Sequence, residues 1–414
     1  MNKKWTNYPG GLRIIKNLLM QKFRKPSLSF SIILMLCVYL IPQRSIAATK
    51  APFSYAGWIP FWQQQDGALD AAANLEKLRE VSPFSYEVKS NGLLVDKLNI
   101  DQGFWPAWLS AVHDLHIKII PTVAWFDGGS IHKLLSNTKL RQAHEDAIAA
   151  LVQAKKFDGI DIDYEAKLAE TKDYFSIFLK GLALRLHPKH KSLVCTIEAR
   201  MPLSSIAGNL PPDVPRANDY VAINKYCDEV RVMAYDQGLI DIKLDATKGA
   251  GALYAPVADP DWVSKVLTEA IKTISRQKIV LGIPTYGYEY QITWANGALT
   301  YQRLRSHTFI QAMDRADMLG IAPQRNNAGE LSFTYVTSTV ATGVSSHLTW
   351  TVSSTAPIVL AAAAGSGGSF RYVSFSDAES AAKNIAVAKK FGIKGAVFFK
   401  LDGDQDPGLW GVMK

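Results

Sequence analysis

Acidic and apolar residues alternate in one short segment, residues 157–165, which reads Phe-Asp-Gly-Ile-Asp-Ile-Asp-Tyr-Glu. Because successive side chains of a β-strand point to opposite faces, Asp161, Asp163 and Glu165 would share one face of a strand. Like charges this close raise the pKa of at least one carboxyl group, and burial raises it further. A carboxyl group that keeps its proton near neutral pH can act as a general acid, so the segment predicts acid–base catalysis.

An exposed edge strand with solvated carboxylates is the alternative explanation for this segment. It does not account for the apolar residues Ile160, Ile162 and Tyr164 at the alternate positions, or for Gly159 at the start of the strand. Buried carboxylates are unfavourable unless they are hydrogen-bonded or used. The pattern therefore favours a buried strand whose acidic face is functional.

Eight short β-rich runs, separated by amphipathic patterns, are arranged along the chain. The predicted strands are Tyr55–Trp62, Val81–Val88, Ile117–Phe126, Gly159–Tyr164, Leu193–Ala199, Val230–Tyr235, Ile279–Tyr286 and Gly395–Leu401. The predicted helices are Leu69–Glu80, Trp105–Leu115, Leu140–Lys155, Lys172–Leu186, Pro260–Arg276 and Asp377–Phe391. Helices between consecutive strands imply parallel strands, and eight such strands fit an α/β fold, the (β/α)8 TIM barrel. A doubly wound open sheet is the alternative, but no Gly-x-Gly-x-x-Gly follows the first strand.

The barrel is predicted to occupy residues 49–414 and to carry a small α+β insertion at 288–373, between its seventh and eighth strands. In that range the helical pattern gives way to turns and short polar strands, with one helical piece at Thr308–Leu319. We expect the insertion to rise from the carboxyl face of the barrel, where barrel enzymes build their sites. Glu165 ends its strand on that same face.

The basic charge of the chain is concentrated at its N-terminus. The sequence has 46 Lys+Arg against 37 Asp+Glu, a formal net charge of +9. Residues 1–48 hold eight of the basic residues and no acidic one, which leaves 38 basic against 37 acidic residues in the remainder. A near-neutral body removes the charge argument for a nucleic-acid partner.

Residues 1–48 also have the pattern of a secretory signal peptide. Basic residues precede the apolar run Leu28–Ile41, and small residues follow up to Ala48. The run is shorter than the ~20 residues of a membrane-spanning helix, although an uncleaved anchor that holds the protein at a membrane is the alternative. The segment before the run is long for a signal, so we expect translation to start at Met20. We predict a protein that is secreted or held in the cell envelope or periplasm.

The cysteines and histidines predict no metal site. Cys37 lies in the signal segment, and Cys195 and Cys227 can either form one disulfide in an oxidising compartment or remain two buried thiols. The histidines are scattered without a third ligand at metal-binding spacing, and no Cys-x-x-Cys occurs. We therefore expect neither metal nor cofactor.

Three motifs together resemble glycoside hydrolase family 18, the chitinase-like barrels. Asp158–Glu165 is similar to the family's DxxDxDxE signature, Met233–Asp236 to the MxYD of its sixth strand, and Leu281–Tyr288 to the GIPxYG of its seventh. The resemblance runs from Tyr55 to the C-terminus. Tyr286–Tyr288 and the ending Leu401–Pro407 are similar to a bacterial subgroup that includes spore-germination and spore-cortex glycosidases.

The resemblance implies roles for the acidic row. Glu165 would protonate the glycosidic oxygen and then act as the base for water. The nucleophile would be the substrate's own 2-acetamido oxygen, and Asp163 would orient that group and stabilise the oxazoline-like intermediate. Asp161 would share a proton with Asp163. We expect Asp163 to be the neighbour that keeps Glu165 protonated.

The resemblance implies further contacts with the sugar. Tyr235 would hydrogen-bond the acetamido carbonyl, and Asp236 would contact the sugar. Met233 and Tyr286 belong to the matched motifs and are expected to bind substrate, whereas Asp158 would be a structural member of the carboxylate network.

Aromatic residues are candidates for stacking on sugar rings. The family usually carries a Trp near the end of its eighth strand, where this chain has Phe399, which can still stack with less area. Tryptophans that could line an extended groove are Trp58, Trp62, Trp105, Trp125 and Trp294. Trp62 and Trp125 are the strongest of these because they end predicted strands.

The sequence therefore predicts a monomeric, secreted, retaining glycosidase. Its partner would be an N-acetylglucosamine-containing polysaccharide with β-1,4 links, either chitin or peptidoglycan. A non-catalytic chitinase-like lectin is the alternative, but family lectins of that kind lack the terminal Glu or its Asp partners. The choice of polysaccharide, and endo against exo action, remains open.

Overall fold

The structure, a computed structural model, describes residues 52–206, 216–295, 298–336 and 369–414. The strands are β1 Ser54–Pro60, β2 Glu80–Val88, β3 Leu94–Asp96, β4 Lys118–Ile119, β5 Thr122–Trp125, β6 Gly159–Tyr164, β7 Ser192–Glu198, β8 Glu229–Met233, β9 Ile279–Pro284, β10 Tyr286–Ala295, β11 Ala298–Thr308, β12 Gln324–Arg325, β13 Leu331–Tyr335, β14 Ser369–Phe375 and β15 Gly395–Phe399. The helices are α1 Gln64–Ala73, α2 Trp105–Asp114, α3 Gly128–Ser136, α4 Thr138–Ala154, α5 Lys172–Leu186, α6 Leu203–Ile206, α7 Tyr220–Tyr226, α8 Ile242–Lys248, α9 Pro260–Ala270, α10 Phe309–Met318, α11 Ala378–Phe391 and α12 Leu409–Val412. The predicted signal segment, residues 1–48, and part of the predicted insertion, residues 337–368, lie outside the described residues.

Eight parallel strands close into a barrel. Their order around the barrel is β1, β2, β5, β6, β7, β8, β9 and β15, and β1 pairs with both β2 and β15. Each neighbour in this circle is also the next barrel strand along the chain, as the crossover connections of a TIM barrel require. The predicted (β/α)8 barrel is therefore confirmed.

The helices cover the outer face of the barrel. Ile160, Ile162 and Tyr164 of β6 are fully buried on that face, within the same apolar cluster as residues of α5. The ring of Tyr164 stacks on Phe178 of α5 at a centroid distance of 5.5 Å. The apolar half of the alternating segment thus packs under a helix, which leaves the acidic half facing the barrel interior.

A second sheet is formed by the chain between β9 and β15. Its five strands are antiparallel in the order β11, β10, β14, β13, β12. Residues Ala312 and Ala316 of α10 pack on one face of it against Phe333 and Phe375. The helix predicted at Thr308–Leu319 is present as α10, and Thr308 caps it in a capping box with Gln311.

Some predicted helix bounds are wrong. The helix predicted at Leu69–Glu80 ends much earlier, because α1 stops at Ala73 and a 3-10 turn, Leu75–Lys77, follows. Glu80 instead begins β2, and its buried side chain bonds to Arg231 inside the barrel. The strand begins at Glu80 because its buried charge is compensated by Arg231, which is far away along the chain and so gives no local signal.

Cys195 of β7 and Cys227, just before β8, form a disulfide bond. The bond decides between the two states that the sequence leaves open, and it joins the middle of β7 to the residues just before the neighbouring strand β8. In the part of the chain that the structure describes, no helix has both the length and the apolar character needed to cross a membrane.

Candidate active site

Asp161 lies inside the barrel and is fully buried. Its carboxylate accepts four hydrogen bonds, from Trp58 Nε1 at 3.0 Å, Thr122 Oγ1 at 2.8 Å, Thr196 Oγ1 at 2.7 Å and an Arg231 guanidinium nitrogen at 3.1 Å. These donors satisfy a buried charge. Among the described residues no hydrogen bond joins Asp161 to Asp163, so the expected sharing of a proton between them is not seen here.

Arg231 is the centre of an ion-pair network in the barrel interior. Besides Asp161, its guanidinium donates to Glu80 at 2.6 Å and to Glu229 at 2.9 Å. Lys394 reaches Glu229 at 2.5 Å. Burial disfavours the charged guanidinium, but the surrounding carboxylates outweigh this effect and raise the pKa of Arg231 above its ordinary value. The network therefore fixes the position of the Asp161 carboxylate inside the barrel.

Replacing Arg231 by methionine is expected to lower the free energy of unfolding by about 3–5 kcal/mol, because the change leaves buried carboxylates without their cation. Chemical denaturation measures this loss. Lys272→Met is a suitable control, since it removes an exposed lysine from its pair with Glu269 on the surface of a helix end and should hardly change the midpoint. Equal midpoints for the two variants would show that the buried network does not stabilise the barrel.

Asp163 is buried, two residues further along β6 on the same face. Its Oδ1 atom has no hydrogen-bond partner among the described residues. Burial, followed by the charges of Glu165 and Asp161, raises the pKa of Asp163 well above its ordinary value. Asp163 therefore has a buried oxygen that could accept a hydrogen bond from a ligand, and burial is the main reason why its ionisation is disfavoured.

Glu165 directly follows β6, and its backbone N–H donates to the carbonyl of Trp125 at 2.8 Å. Its side chain is partly buried. Burial and then the charge of Glu198 raise the pKa of Glu165 to about 7, against the opposing effect of Lys167. The carboxyl group is thus held near the pKa that a general acid needs at neutral pH.

Glu198 is a neighbour of Glu165 that was not predicted from the sequence. The β6–β7 register pairs Gly159 with Ser192 and Ile162 with Cys195, and the same offset sets Glu165 beside Glu198. Glu198 accepts from Asn218 Nδ2 at 2.6 Å and lies 3.4 Å from the buried Lys167 Nζ. The expectation that Asp163 keeps Glu165 protonated is therefore replaced, because Glu198 provides the main charge that does so.

Replacing Glu198 by glutamine is expected to move the alkaline limb of the kcat/KM profile to lower pH, by on the order of one unit. Glu165 must be protonated to act as an acid, so activity falls as the pH rises through its pKa, and removing the Glu198 charge lowers that pKa. Glu76→Gln, on an exposed turn, serves as the control. A profile that loses height without moving would mean that Glu198 has only a structural role.

Tyr235 and Asp236 follow β8 at its carboxyl end. Asp236 adopts a left-handed backbone conformation, with φ of 60°, and its Oδ1 accepts from Tyr286 at 2.5 Å and Tyr288 at 2.7 Å. Gly282 of β9 leaves space for the Tyr235 ring, since a Cβ there would lie 2.8 Å from it. Burial and then the charge of Asp163 raise the pKa of Tyr235 well above its ordinary value, so its hydroxyl keeps its proton and can donate.

Phe399, at the end of β15, lies at the centre of an aromatic cluster. Its ring stacks on Tyr235 at 5.7 Å and meets Trp58 and Tyr286 edge-on at 5.8 and 6.0 Å. Stacking of Phe399 on a sugar ring, in place of the family's usual Trp, remains a prediction.

A cavity of about 670 Å³ opens beside Phe399. Predicted site residues that line it are Trp62, Asp236, Tyr286 and Phe399, and β11 contributes a further wall. Asp163, Glu165 and Tyr235 are not lining residues, although the ring of Tyr235 packs against Tyr286 and Phe399, which are. The partly buried Met233 ends β8 but does not line this cavity either.

The tryptophans divide into buried and cleft-facing residues. Trp62 is 47% exposed, but Trp125 is only 2% exposed and packs edge-on against Tyr164 in the helix layer. Trp125 is therefore wrong as a substrate-binding residue, because strand alternation turns it outward and leaves the next residue, Phe126, exposed. Trp58 and Trp105 are also buried, and the side chain of Trp294 is outside the described part.

Asp158 lies at the amino end of β6, away from the other acids of the row. Its Oδ2 accepts from the backbone N–H of Ile119 at 2.8 Å, so it joins β6 to β4. This contact is a structural one, made to a neighbouring strand.

Comparisons with known proteins agree with this geometry. A family model described as "Glycosyl hydrolases family 18" matches residues 109–404. The "Uncharacterized glycosylase YvbX" of Bacillus subtilis is 28% identical over 167 residues, which cover 40% of this chain and 44% of that protein. Chitinase A1 of Niallia circulans is 20% identical over 315 residues, which cover 72% of this chain and 42% of that protein. This chain thus matches less than half the length of either relative.

A solved structure is similar in fold. The spore cortex-lytic enzyme SleL of Bacillus megaterium superposes with a TM-score of 0.64 at 18% identity, covering 89% of this chain and 74% of that one.

Proposed function

This chain belongs to family 18 of the glycosyl hydrolases, and from that premise we propose that it is a retaining glycosidase that uses the substrate's own acetamido group. Its substrate would be a β-1,4-linked polysaccharide containing N-acetylglucosamine. The observation that carries this proposal is the buried Oδ1 atom of Asp163, which lacks a donor among the described residues and lies on the same face as Glu165. An acetamido N–H is a donor that would satisfy it.

In the proposed first step, Glu165 gives its proton to the glycosidic oxygen as the bond from that oxygen to the anomeric carbon breaks. The acetamido carbonyl oxygen of the same sugar attacks the anomeric carbon, and Asp163 accepts a hydrogen bond from the acetamido N–H. Charge develops on the acetamido group, and the nearby carboxyl of Asp163 stabilises it.

In the second step, the carboxylate of Glu165 takes a proton from water, which attacks the anomeric carbon and opens the cyclic intermediate. Each of the two attacks inverts the configuration of the anomeric carbon, so the product retains the configuration of the substrate. Tyr235 keeps its proton and can donate to the acetamido oxygen, so it would fix that oxygen for attack. Asp161, held by Arg231, carries no reacting proton in this scheme.

Turnover of a chromogenic N-acetylglucosamine oligomer tests the proposal, with the anomer of the first product read by NMR. We expect the β-anomer first, and no turnover of the matching oligomer whose reacting sugar lacks its N-acetyl group. Binding of the oligomer without any turnover would favour the alternative, a chitinase-like lectin.

We also propose that the protein is exported. The signal-like pattern of residues 1–48 and the Cys195–Cys227 disulfide, a bond typical of oxidising compartments, support this. Intact-mass measurement of the protein outside the cytoplasm tests it, since cleavage near Ala48 is expected and a full-length cytoplasmic chain would contradict it.

A further inference from the structure

Basic side chains dominate the wall that β11 contributes to the cavity. Arg303, Arg305 and His307 line it at alternate positions of this strand, and Lys400 lines it from the end of β15. Asp236 is the acidic residue among the described lining residues. The wall therefore differs in charge from the acidic row of β6.

Most of these cations already have carboxylate partners. Arg305 lies 3.2 Å from Glu289, His307 lies 3.0 Å from the same carboxylate, and Lys400 pairs with Asp402. Arg303 differs from them, because no carboxylate lies within ion-pair distance of its guanidinium in the part of the chain that the structure describes. Its side chain is exposed to the cavity.

The guanidinium of Arg303 is nevertheless held in position. It lies over the ring of Tyr288, 4.7 Å from the centroid. The hydroxyl of Tyr288 in turn donates to Asp236 at 2.7 Å. An arginine stacked on an aromatic face keeps the N–H donors along the edge of its guanidinium free. Because the side chain is already ordered by the stacking, binding of a ligand costs less side-chain entropy.

We propose that Arg303 binds a carboxylate carried by the glycan substrate, and so selects a carboxylate-bearing polymer of N-acetylated sugars over neutral chitin. This inference rests on the proposed function, since it specifies the substrate of the same cleft. A guanidinium forms two parallel hydrogen bonds with a carboxylate, a pairing that a neutral chitin chain cannot supply.

Paired substrates test this inference. One is a glycan strand of alternating N-acetylglucosamine and N-acetylmuramic acid, freed of peptides, and the other is the same strand with its lactyl carboxylates converted to methyl amides. We expect Arg303→Gln to lower kcat/KM about 10- to 100-fold on the acidic strand and less than about twofold on the amidated one. Arg303→Lys, which keeps the charge but not the paired geometry, should lose an intermediate amount on the acidic strand.

Arg315→Gln is the matched control, because Arg315 also lies over a tyrosine ring, that of Tyr335, outside the cavity lining. It should leave both substrates unchanged. Equal losses on the two strands, or no loss on either of them together with no loss on a peptide-bearing strand, would overturn the role of Arg303. Turnover of the amidated strand by the wild-type protein shows that the glycosidase proposal holds independently of that result.

The carboxylate has two sources in a cell-wall polymer, the lactyl ether of the sugar and the attached peptide. Strands with intact peptides, whose lactyl groups are amide-linked, distinguish them. Dependence on Arg303 with peptide-free acidic strands assigns the lactyl carboxylate. Dependence only with the peptide-bearing strands assigns the peptide.

Discussion

Glu165→Gln is expected to lower turnover of an N-acetylglucosamine oligomer by about 10²–10⁴-fold while binding survives. General acid catalysis contributes an effect of that size. Glutamine has nearly the same shape as glutamic acid but has no carboxyl proton to give, and the pKa of Glu165, raised to about 7, indicates that a large fraction of the protein holds this proton at neutral pH. Turnover is measured with a chromogenic oligomer and affinity by calorimetry with the uncut sugar.

The matched control for this variant is Glu170→Gln, which neutralises an exposed acid in the turn that follows the same strand. Its turnover should equal that of the wild type. If Glu165→Gln retained full turnover, Glu165 would not be the acid and the proposed mechanism would be wrong. If binding were lost together with turnover, the variant would report on folding of the cleft, and its thermal midpoint would show that directly.

Asp163→Asn is expected to reduce kcat by about 10²–10³-fold, because an amide cannot lose a proton and so cannot become the carboxylate that would balance the positive charge of the intermediate. Stability should change in the opposite direction. The pKa of Asp163 is raised in the folded protein, so the folded state holds a proton that the unfolded state releases, and stability falls as the pH rises above the ordinary pKa. The asparagine variant avoids this loss.

Thermal unfolding at several pH values checks this second effect. We expect Asp163→Asn to be at least as stable as the wild type at pH 8, with a smaller decline in stability between pH 5 and pH 8. Asp161→Asn provides the contrast, since it removes a carboxylate that compensates Arg231 and should destabilise the protein. A destabilised Asp163→Asn variant would mean that Asp163 supports the fold and that its loss of activity says nothing about catalysis.

The strand of the acidic row was predictable because its signal is local. Alternation within 157–165 determines which residues share a face of the strand, and this assignment does not depend on residues far away in the sequence. The helix Lys172–Leu186 was predicted with the observed bounds, since its apolar positions repeat with the period of a helix and cover the outer side of β6.

Residues that depend on strand register were not predictable in the same way. Glu198 acts on Glu165 because two strands align with a particular offset, and a single sequence does not state that offset. The charged positions Glu229 and Arg231 did carry a signal, since they alternate with valines in a buried strand as the acids of β6 do. The prediction that Trp125 binds substrate is wrong for a related reason. Neighbouring residues of a strand point to opposite faces, so a shift of one position decides whether a side chain faces the helix layer or the barrel interior.

The strand β10 leaves the barrel after the single residue Thr285 that follows β9, and Gly287 near its start pairs with Phe375 at the end of β14. Entry and exit of the whole insertion are therefore adjacent, on neighbouring antiparallel strands. Such a segment can be exchanged between relatives as a cassette without altering the closure of the eight parallel strands. The surface that the insertion presents to the cavity, including Arg303, could accordingly change among relatives while the acidic row of β6 stays in place.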